Sequence, residues 1–249
     1  MASIRAALDA GADGIEVDAM ETADGQVVIC HSDLLADHTF RPRLPYRVSD
    51  STYDSLRCVR TGRNGDGNIP LLSDVLDEAG DRIVNIEMKD VKGAKRDRMR
   101  SFPNALAAVL RGRDTSNIIV SSFALIDLVD ISKALPGVKT GLILDFPGNS
   151  ERPIWPLSFG FEATYLQNTR ENIEKAVAIL PTLYSVHPEV FSINEDRIRK
   201  IIELDLAIYA WALNESSPSC LPLQDAGFKD AGIITDFVPA MLNIRKSFY

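Results

Sequence analysis

Residues 14–31 read GIEVDAMETADGQVVICH, which joins a strand pattern to a turn signal and a second strand pattern. Side chains two positions apart on a strand project to the same face, so Glu16 and Asp18 point the same way. The Asp24-Gly25 pair favours a tight turn that folds the second strand back as a hairpin. That hairpin is expected to carry His31 towards the two carboxylates. Two anionic oxygen donors and an imidazole on rigid strands indicate a site for a hard divalent cation and a proton-transfer group.

A second strand pattern, at residues 83–89, repeats this arrangement because Glu87 and Lys89 share one of its faces. Such pairs also occur on the solvated faces of half-exposed strands, and that interpretation stays open for either pair taken alone. Here the charges lie among apolar residues, which predicts parallel strands that are buried on both faces. Charged groups on such strands are costly unless they are paired or bind a metal. This pattern therefore favours a functional role.

Length and composition are those of a globular protein. A chain of 249 residues is typical of a single (β/α)8 barrel, so we expect one barrel domain over residues 1–249, with an excursion at about residues 41–68. The net charge of −8 disfavours a nucleic-acid partner. No apolar run approaches the length of a membrane span, so no transmembrane segment is predicted.

Cysteine usage bears on the compartment. The three cysteines are scattered and odd in number, which is typical of reduced thiols and predicts a cytoplasmic protein. No signal peptide is visible, but a periplasmic or secreted location stays open because Met1 is not established as the original start. The acidic composition and the aromatic residues in loop segments leave a homo-oligomer open.

Strand patterns alternate with helix patterns along the chain, which predicts a parallel α/β architecture. The strand candidates are residues 14–18, 83–89, 118–122, 138–144, 183–187, 206–213 and 232–236. The helix candidates are residues 4–10, 72–79, 104–111, 125–135, 172–180, 195–204 and 239–246. These strands, preceded by a helix, predict a TIM (β/α)8-type barrel whose first β-strand is missing. A misplaced start or a fragment boundary is the simplest explanation. A natural seven-stranded barrel and completion by a partner are the alternatives.

The order of these motifs resembles the glycerophosphodiester phosphodiesterase family, barrels related to the phosphatidylinositol-specific phospholipases C. The family's strand and turn are matched at residues 10–25, and its histidine-bearing strand at residues 27–31. Further motifs follow in the family's order, at residues 69–76, 85–89, 120–123, 209–214 and 232–236. The resemblance covers nearly the whole chain and implies hydrolysis of glycerophosphodiesters to glycerol 3-phosphate and an alcohol.

The resemblance also assigns roles to individual residues. It implies that Glu16, Asp18 and Glu87 bind one divalent cation, Mg2+ or Ca2+, which agrees with the preference of hard cations for oxygen ligands. Lys89 would hold a phosphoryl oxygen of the small-molecule substrate. His31 would act as one member of a general acid–base pair, because its ordinary pKa lies near working pH.

Trp211 would line the pocket for the glycerol moiety, with a core aromatic as the alternative role. A phospholipase that acts on intact lipids is a further alternative within the same superfamily. No amphipathic membrane-docking helix is apparent in the sequence, which weakens that alternative.

Three departures from the family pattern argue for a second hypothesis, a catalytically impaired member that binds metal or phosphodiester without turnover. The family's first strand carries a His-Arg pair followed by a Glu-Asn-Thr run, and this chain begins after both. The usual Asp after the catalytic histidine is Ser32, and the family's Arg-Thr-Thr run is replaced at residues 37–39. His38 and His187 are expected to be structural or exposed rather than catalytic.

Overall fold

The computed structural model describes residues 1–35, 47–62, 65, 67–89, 96–145, 166, 168–213 and 230–246. Within these ranges the helices are α1 (Ala2–Asp9), α2 (Tyr53–Leu56), α3 (Leu72–Ala79), α4 (Arg96–Leu110), α5 (Leu125–Ala134), α6 (Arg170–Ile179), α7 (Glu195–Glu203) and α8 (Val238–Lys246). The strands are β1 (Gly14–Glu21), β2 (Val27–Ile29), β3 (Ile83–Met88), β4 (Ile118–Ser122), β5 (Lys139–Leu144), β6 (Ser185–Pro188), β7 (Ala207–Ala210) and β8 (Ala231–Ile233).

Each predicted strand and helix has a counterpart, and the α/β class is confirmed. The ends differ from the predicted ones by three residues or fewer, except that α4 begins eight residues earlier. The sequence did not predict α2 or the 3-10 turns at Val48–Asp50 and Val190–Ser192, because elements this short carry no full hydrophobic period. Residues 41–46, 63, 64 and 66 of the predicted excursion lie outside the described residues, as does His38. Residues 146–165, which carry several of the aromatic side chains noted in loop segments, also lie outside them.

The predicted hairpin forms between β1 and β2. The two strands are antiparallel, with Ala19 opposite Ile29. The turn is closed by a hydrogen bond of 2.9 Å from the backbone N–H of Thr22 to the carbonyl of Gln26. Gly25 takes a positive φ of 77°, which a glycine adopts without steric cost. The hairpin prediction is therefore confirmed.

The chain divides into two compact units. The first comprises Met1–Val120 and Asp130–Val138. In this unit β1 lies between β2 and β3, and it pairs with β3 in parallel, with Asp18 opposite Glu87. Apolar residues of β1, β3, α1, α3 and α4 form its main core, including Ile4, Val17, Leu72, Val84, Ile86 and Leu106.

The second unit comprises Ser121–Val129 and Lys139–Tyr249. Its strands β5, β6, β7 and β8 follow one another as parallel neighbours, each preceded or followed by a helix. Side chains of α6 and α7 cover the strands and form a core that includes Leu142, Ile173, Val186, Ile198 and Ile208. The side-chain oxygen of Asn194 accepts the N–H of Arg197 at 3.0 Å and caps α7.

One packing expectation is wrong. The strand β1 is not buried on both faces, since fully buried residues such as Val17 alternate with partly exposed residues such as Glu16 and Asp18. In β3 the residues Val84, Asn85 and Ile86 are buried, whereas Glu87 is partly exposed. Glu16, Asp18 and Glu87 are therefore partly accessible to solvent, whereas Asn85 on the same face is buried. This partial contact with water lowers the cost of placing several carboxylates there, compared with full burial.

Candidate metal centre

The carboxylates of Glu16, Asp18 and Glu87 converge in the first unit. Alternation along β1 puts Glu16 and Asp18 on one face, and the parallel register with β3 adds Glu87 beside Asp18. One carboxylate oxygen from each residue lies within 4.8 Å of those from the other two. The structure thus brings together the three residues that the family resemblance implied as ligands of one cation.

Lys89 joins this cluster from the end of β3. Its Nζ lies 2.9 Å from Oδ1 of Asp18 and 2.8 Å from Oε1 of Glu87. The three side chains are 17%, 21% and 12% exposed, so the ion pairs are mostly shielded from water. The backbone N–H of Lys89 donates to the carbonyl of Ala19 at 3.1 Å, which anchors the base of the side chain beside β1.

The electrostatics of the cluster follow from this shielding. Burial raises the pKa of Glu87 above its ordinary value; the nearby Lys89 ammonium opposes this change, and the charge of Asp18 adds to it. Burial by itself would lower the pKa of Lys89, but the carboxylates of Glu87 and Asp18 outweigh it and leave this pKa raised. The cluster therefore combines a firmly charged ammonium with more negative charge than that ammonium neutralises.

The donor set fits a hard divalent cation. Calcium takes oxygen ligands at about 2.3–2.6 Å, so two oxygens on opposite sides of the ion lie about 5 Å apart. The oxygens of Glu16, Asp18 and Glu87 are already within 4.8 Å of one another. These residues can hold such an ion without rearrangement of β1 or β3.

His31 lies just beyond the end of β2 and is exposed. The residue opposite Asp18 is Cys30, whose backbone N–H donates to the Asp18 carbonyl at 2.9 Å. Burial raises the pKa of the Cys30 thiol to about 11, so this neighbour is a neutral thiol. The Nδ1 of His31 lies 3.3 Å from the hydroxyl of Ser32. His31 therefore directly follows Cys30, whose backbone is hydrogen-bonded to β1 at Asp18.

Trp211 lies in the second unit, directly after β7, and its side chain is partly exposed. Its indole N–H donates to the carbonyl of His187 at 2.7 Å. The ring of Phe123 packs edge-on against it, with 5.7 Å between ring centroids. These contacts hold the indole in one orientation. His187 is 1% exposed, so of the two roles expected for it, the exposed one is excluded and the structural one stays a prediction.

Asn85 is a member of the charged face that the sequence prediction left out. It is buried at 6% exposure and pairs with Glu16 in the register of β1 and β3. The signal was present in the sequence, since Asn85, Glu87 and Lys89 alternate along one strand. An amide beside a carboxylate supplies a further polar group at the same face.

Fold and site together define a class: an α/β protein with an acidic, lysine-containing site on two adjacent parallel strands. Residues 1–240 match the sequence profile of the glycerophosphoryl diester phosphodiesterase family. The chain belongs to this family and is a phosphoric diester hydrolase. Within the described residues, no helix is long and apolar enough to cross a membrane.

Individual relatives agree with this assignment. A glycerophosphodiester phosphodiesterase from Caldanaerobacter subterraneus subsp. tengcongensis is 24% identical over 255 residues, which span 98% of this chain and 90% of the relative. The crystal structure of a glycerophosphodiester phosphodiesterase from Thermotoga maritima matches with a TM-score of 0.65 and 25% identity, over 97% of this chain and 89% of that one.

A phosphodiesterase structure from Oleispira antarctica matches with a TM-score of 0.71 and 18% identity, over 98% of this chain and 90% of that one. These likenesses show that the chain has the α/β fold of the TIM-barrel type, as the sequence predicted.

Proposed function

We propose that this chain hydrolyses glycerophosphodiesters to glycerol 3-phosphate and an alcohol, using one divalent cation held by Glu16, Asp18 and Glu87. The observation that carries the proposal is the convergence of these three carboxylates with the Lys89 ammonium in a member of this family. The structure of the Oleispira antarctica phosphodiesterase is that of a complex with the product sn-glycerol-3-phosphate, which supports the same product here.

Each site residue has a separate role in the proposed hydrolysis of a phosphodiester. Glu16, Asp18 and Glu87 would hold a divalent cation, Mg2+ or Ca2+, and this ion would supply a Lewis acid that polarises the phosphodiester and offsets its developing charge. The Lys89 ammonium binds a phosphoryl oxygen as a point charge on a flexible stem. His31 acts as one member of a general acid–base pair and transfers a proton at the reacting oxygen, as imidazole side chains often do. Trp211 contacts the glycerol moiety through its restrained indole ring.

Release of glycerol 3-phosphate from glycerophosphocholine is the direct test. The purified chain is assayed with Mg2+, with Ca2+ and with EDTA. We expect turnover that depends on one of these cations and is lost in EDTA. Replacing Glu87 by Gln removes one cation ligand at nearly constant volume, so kcat/KM should fall about 100-fold or more.

The Glu78→Gln variant is the matched control, because it makes the same chemical change at an ion pair with Arg5 away from the cluster. Its activity should equal that of the wild type. Turnover in EDTA, or equal activity of the Glu87→Gln variant and the control, would contradict the proposed metal centre. A folded chain that binds the cation but shows no turnover would instead favour the impaired family member.

The proposal extends to the compartment. We place the protein in the cytoplasm, because scattered cysteines such as Cys30 and Cys58 are typical of a reducing environment. Fractionation of the native organism, with an antibody against this chain, tests the assignment.

A further inference from the structure

The Lys89 ammonium occupies the position where a cation is needed in the proposed centre. Its Nζ lies within 2.9 Å of Asp18 and 2.8 Å of Glu87, so it contacts two of the three carboxylates assigned to the metal. Glu16 supplies the third carboxylate, whose nearest oxygen is within 4.8 Å of the other two. The chain thus carries a positive charge of its own within the cluster.

An ammonium and a divalent cation compete for the same oxygens. Each carboxylate oxygen that accepts a hydrogen bond from the Lys89 ammonium has less lone-pair capacity left for a metal ion. A divalent ion bound among these oxygens would also lie close to a like charge in a shielded environment, where the repulsion is only weakly screened. Both effects weaken cation binding while the lysine stays in place.

The lysine has a route away from this position. Its backbone is fixed by the hydrogen bond to Ala19, but the four-carbon stem is flexible and can carry the ammonium over several ångströms. The side chain is also 17% exposed, so it is not enclosed on all sides. Movement of Nζ therefore requires no change in β3 itself.

We infer that Lys89 is an internal counter-ion that competes with the divalent cation for Asp18 and Glu87, and that cation binding releases its ammonium for the substrate phosphate. The inference rests on the proposed function, since it takes these carboxylates as the cation ligands. In the metal-free enzyme the lysine offsets part of the negative charge of the cluster and holds Asp18 and Glu87 in position. It becomes available to the phosphate when the ion has taken its place, which favours binding of the cation before the substrate.

Calorimetric titration of Mg2+ and Ca2+ into the substrate-free protein tests the competition without an activity readout. The Lys89→Met variant removes the charge and keeps a long stem, so its cation dissociation constant should be about tenfold lower or more than that of the wild type. The titrations are run at about pH 8, so that protons do not replace the lost ammonium. Lys133→Met removes a positive charge that pairs with Asp130 on α5, and its dissociation constant should not change.

If Lys89 has only a supporting role, its replacement should not strengthen cation binding. If Lys89 only holds the carboxylates in position, the Lys89→Met variant will bind the cation equally well or more weakly, and either result overturns the inference. If the wild-type protein binds no cation, the proposed metal centre itself is wrong. This outcome is seen in the first titration, before any variant is compared. Lys89→Gln is the second variant, in case the methionine variant does not fold, and it should tighten cation binding in the same direction.

Discussion

The buried histidine of the second unit makes the stability of the fold depend on pH. His187 is 1% exposed, its Nε2 lies 2.8 Å from the hydroxyl of Ser185, and its ring centroid is 5.2 Å from that of Tyr209. A Cβ at Gly141 would lie 2.3 Å from the same Nε2, so only a glycine leaves room for the ring. Burial lowers the pKa of His187 from 6.5 to about 3, and the folded protein holds it neutral.

The sign of the effect follows from proton uptake. Below its ordinary pKa the histidine takes a proton in the unfolded chain, whereas in the folded chain it stays neutral until the pH approaches about 3. Near neutral pH the titration of His187 therefore hardly changes the free energy of unfolding. It falls by about 1.4 kcal/mol for each pH unit between the two pKa values. The loss from His187 alone between about pH 7.5 and about pH 5 is about 2 kcal/mol.

Urea denaturation of the wild type and a His187→Gln variant isolates this contribution. Glutamine does not titrate, and the acidic groups common to both proteins cancel in the difference between them. Near pH 7.5 the variant should be less stable because the imidazole packing is lost. Near pH 5 the unfolding free energy of the wild type should have fallen by about 2 kcal/mol relative to that of the variant, so the difference between the two proteins shifts by this amount towards the variant. Circular dichroism and tryptophan fluorescence report the transition.

Ser185→Ala is the matched control, because it removes the hydrogen bond to His187 but keeps the buried ring. Its stability relative to the wild type should be the same at both pH values, since burial is the cause of the lowered pKa. The reasoning is refuted if the gap between the wild type and His187→Gln changes by less than about 0.5 kcal/mol, the scatter of such differences. That result would mean that the imidazole accepts a proton in the folded protein.

Two further substitutions test other parts of the fold. Gly14→Ala places a Cβ 2.5 Å from the Ile83 carbonyl, so it should force β1 and β3 apart, cost about 1–3 kcal/mol in urea unfolding and weaken cation binding in calorimetry. An unchanged unfolding free energy would show that the strands adjust freely. Asn194→Ala removes the cap of α7 and should cost about 1 kcal/mol, with catalytic activity retained. A Ser at position 194 should restore the stability if capping is the cause.

Local rules explain why so much of the architecture could be predicted. Alternation along residues 14–21 and 83–88 follows from the two-residue repeat of a strand, and the Asp24-Gly25 turn follows from the positive φ that glycine tolerates. Glu16 and Asp18 could be placed on one face because they are two positions apart on one strand. The ends of the elements were less accurate, since capping and fraying depend on contacts beyond the local window.

The sequence by itself determined the alternation of strands and helices, the hairpin, and the two pairs of charged residues, one on β1 and one at the end of β3. These are properties of short segments, for which side-chain periodicity suffices. Only the tertiary structure decided that Asp18 lies opposite Glu87, that Lys89 bridges the two, and that Asn85 and His187 are buried. Strand register and burial depend on residues far apart in the chain, and one position of slippage would turn every side chain of a strand to its other face.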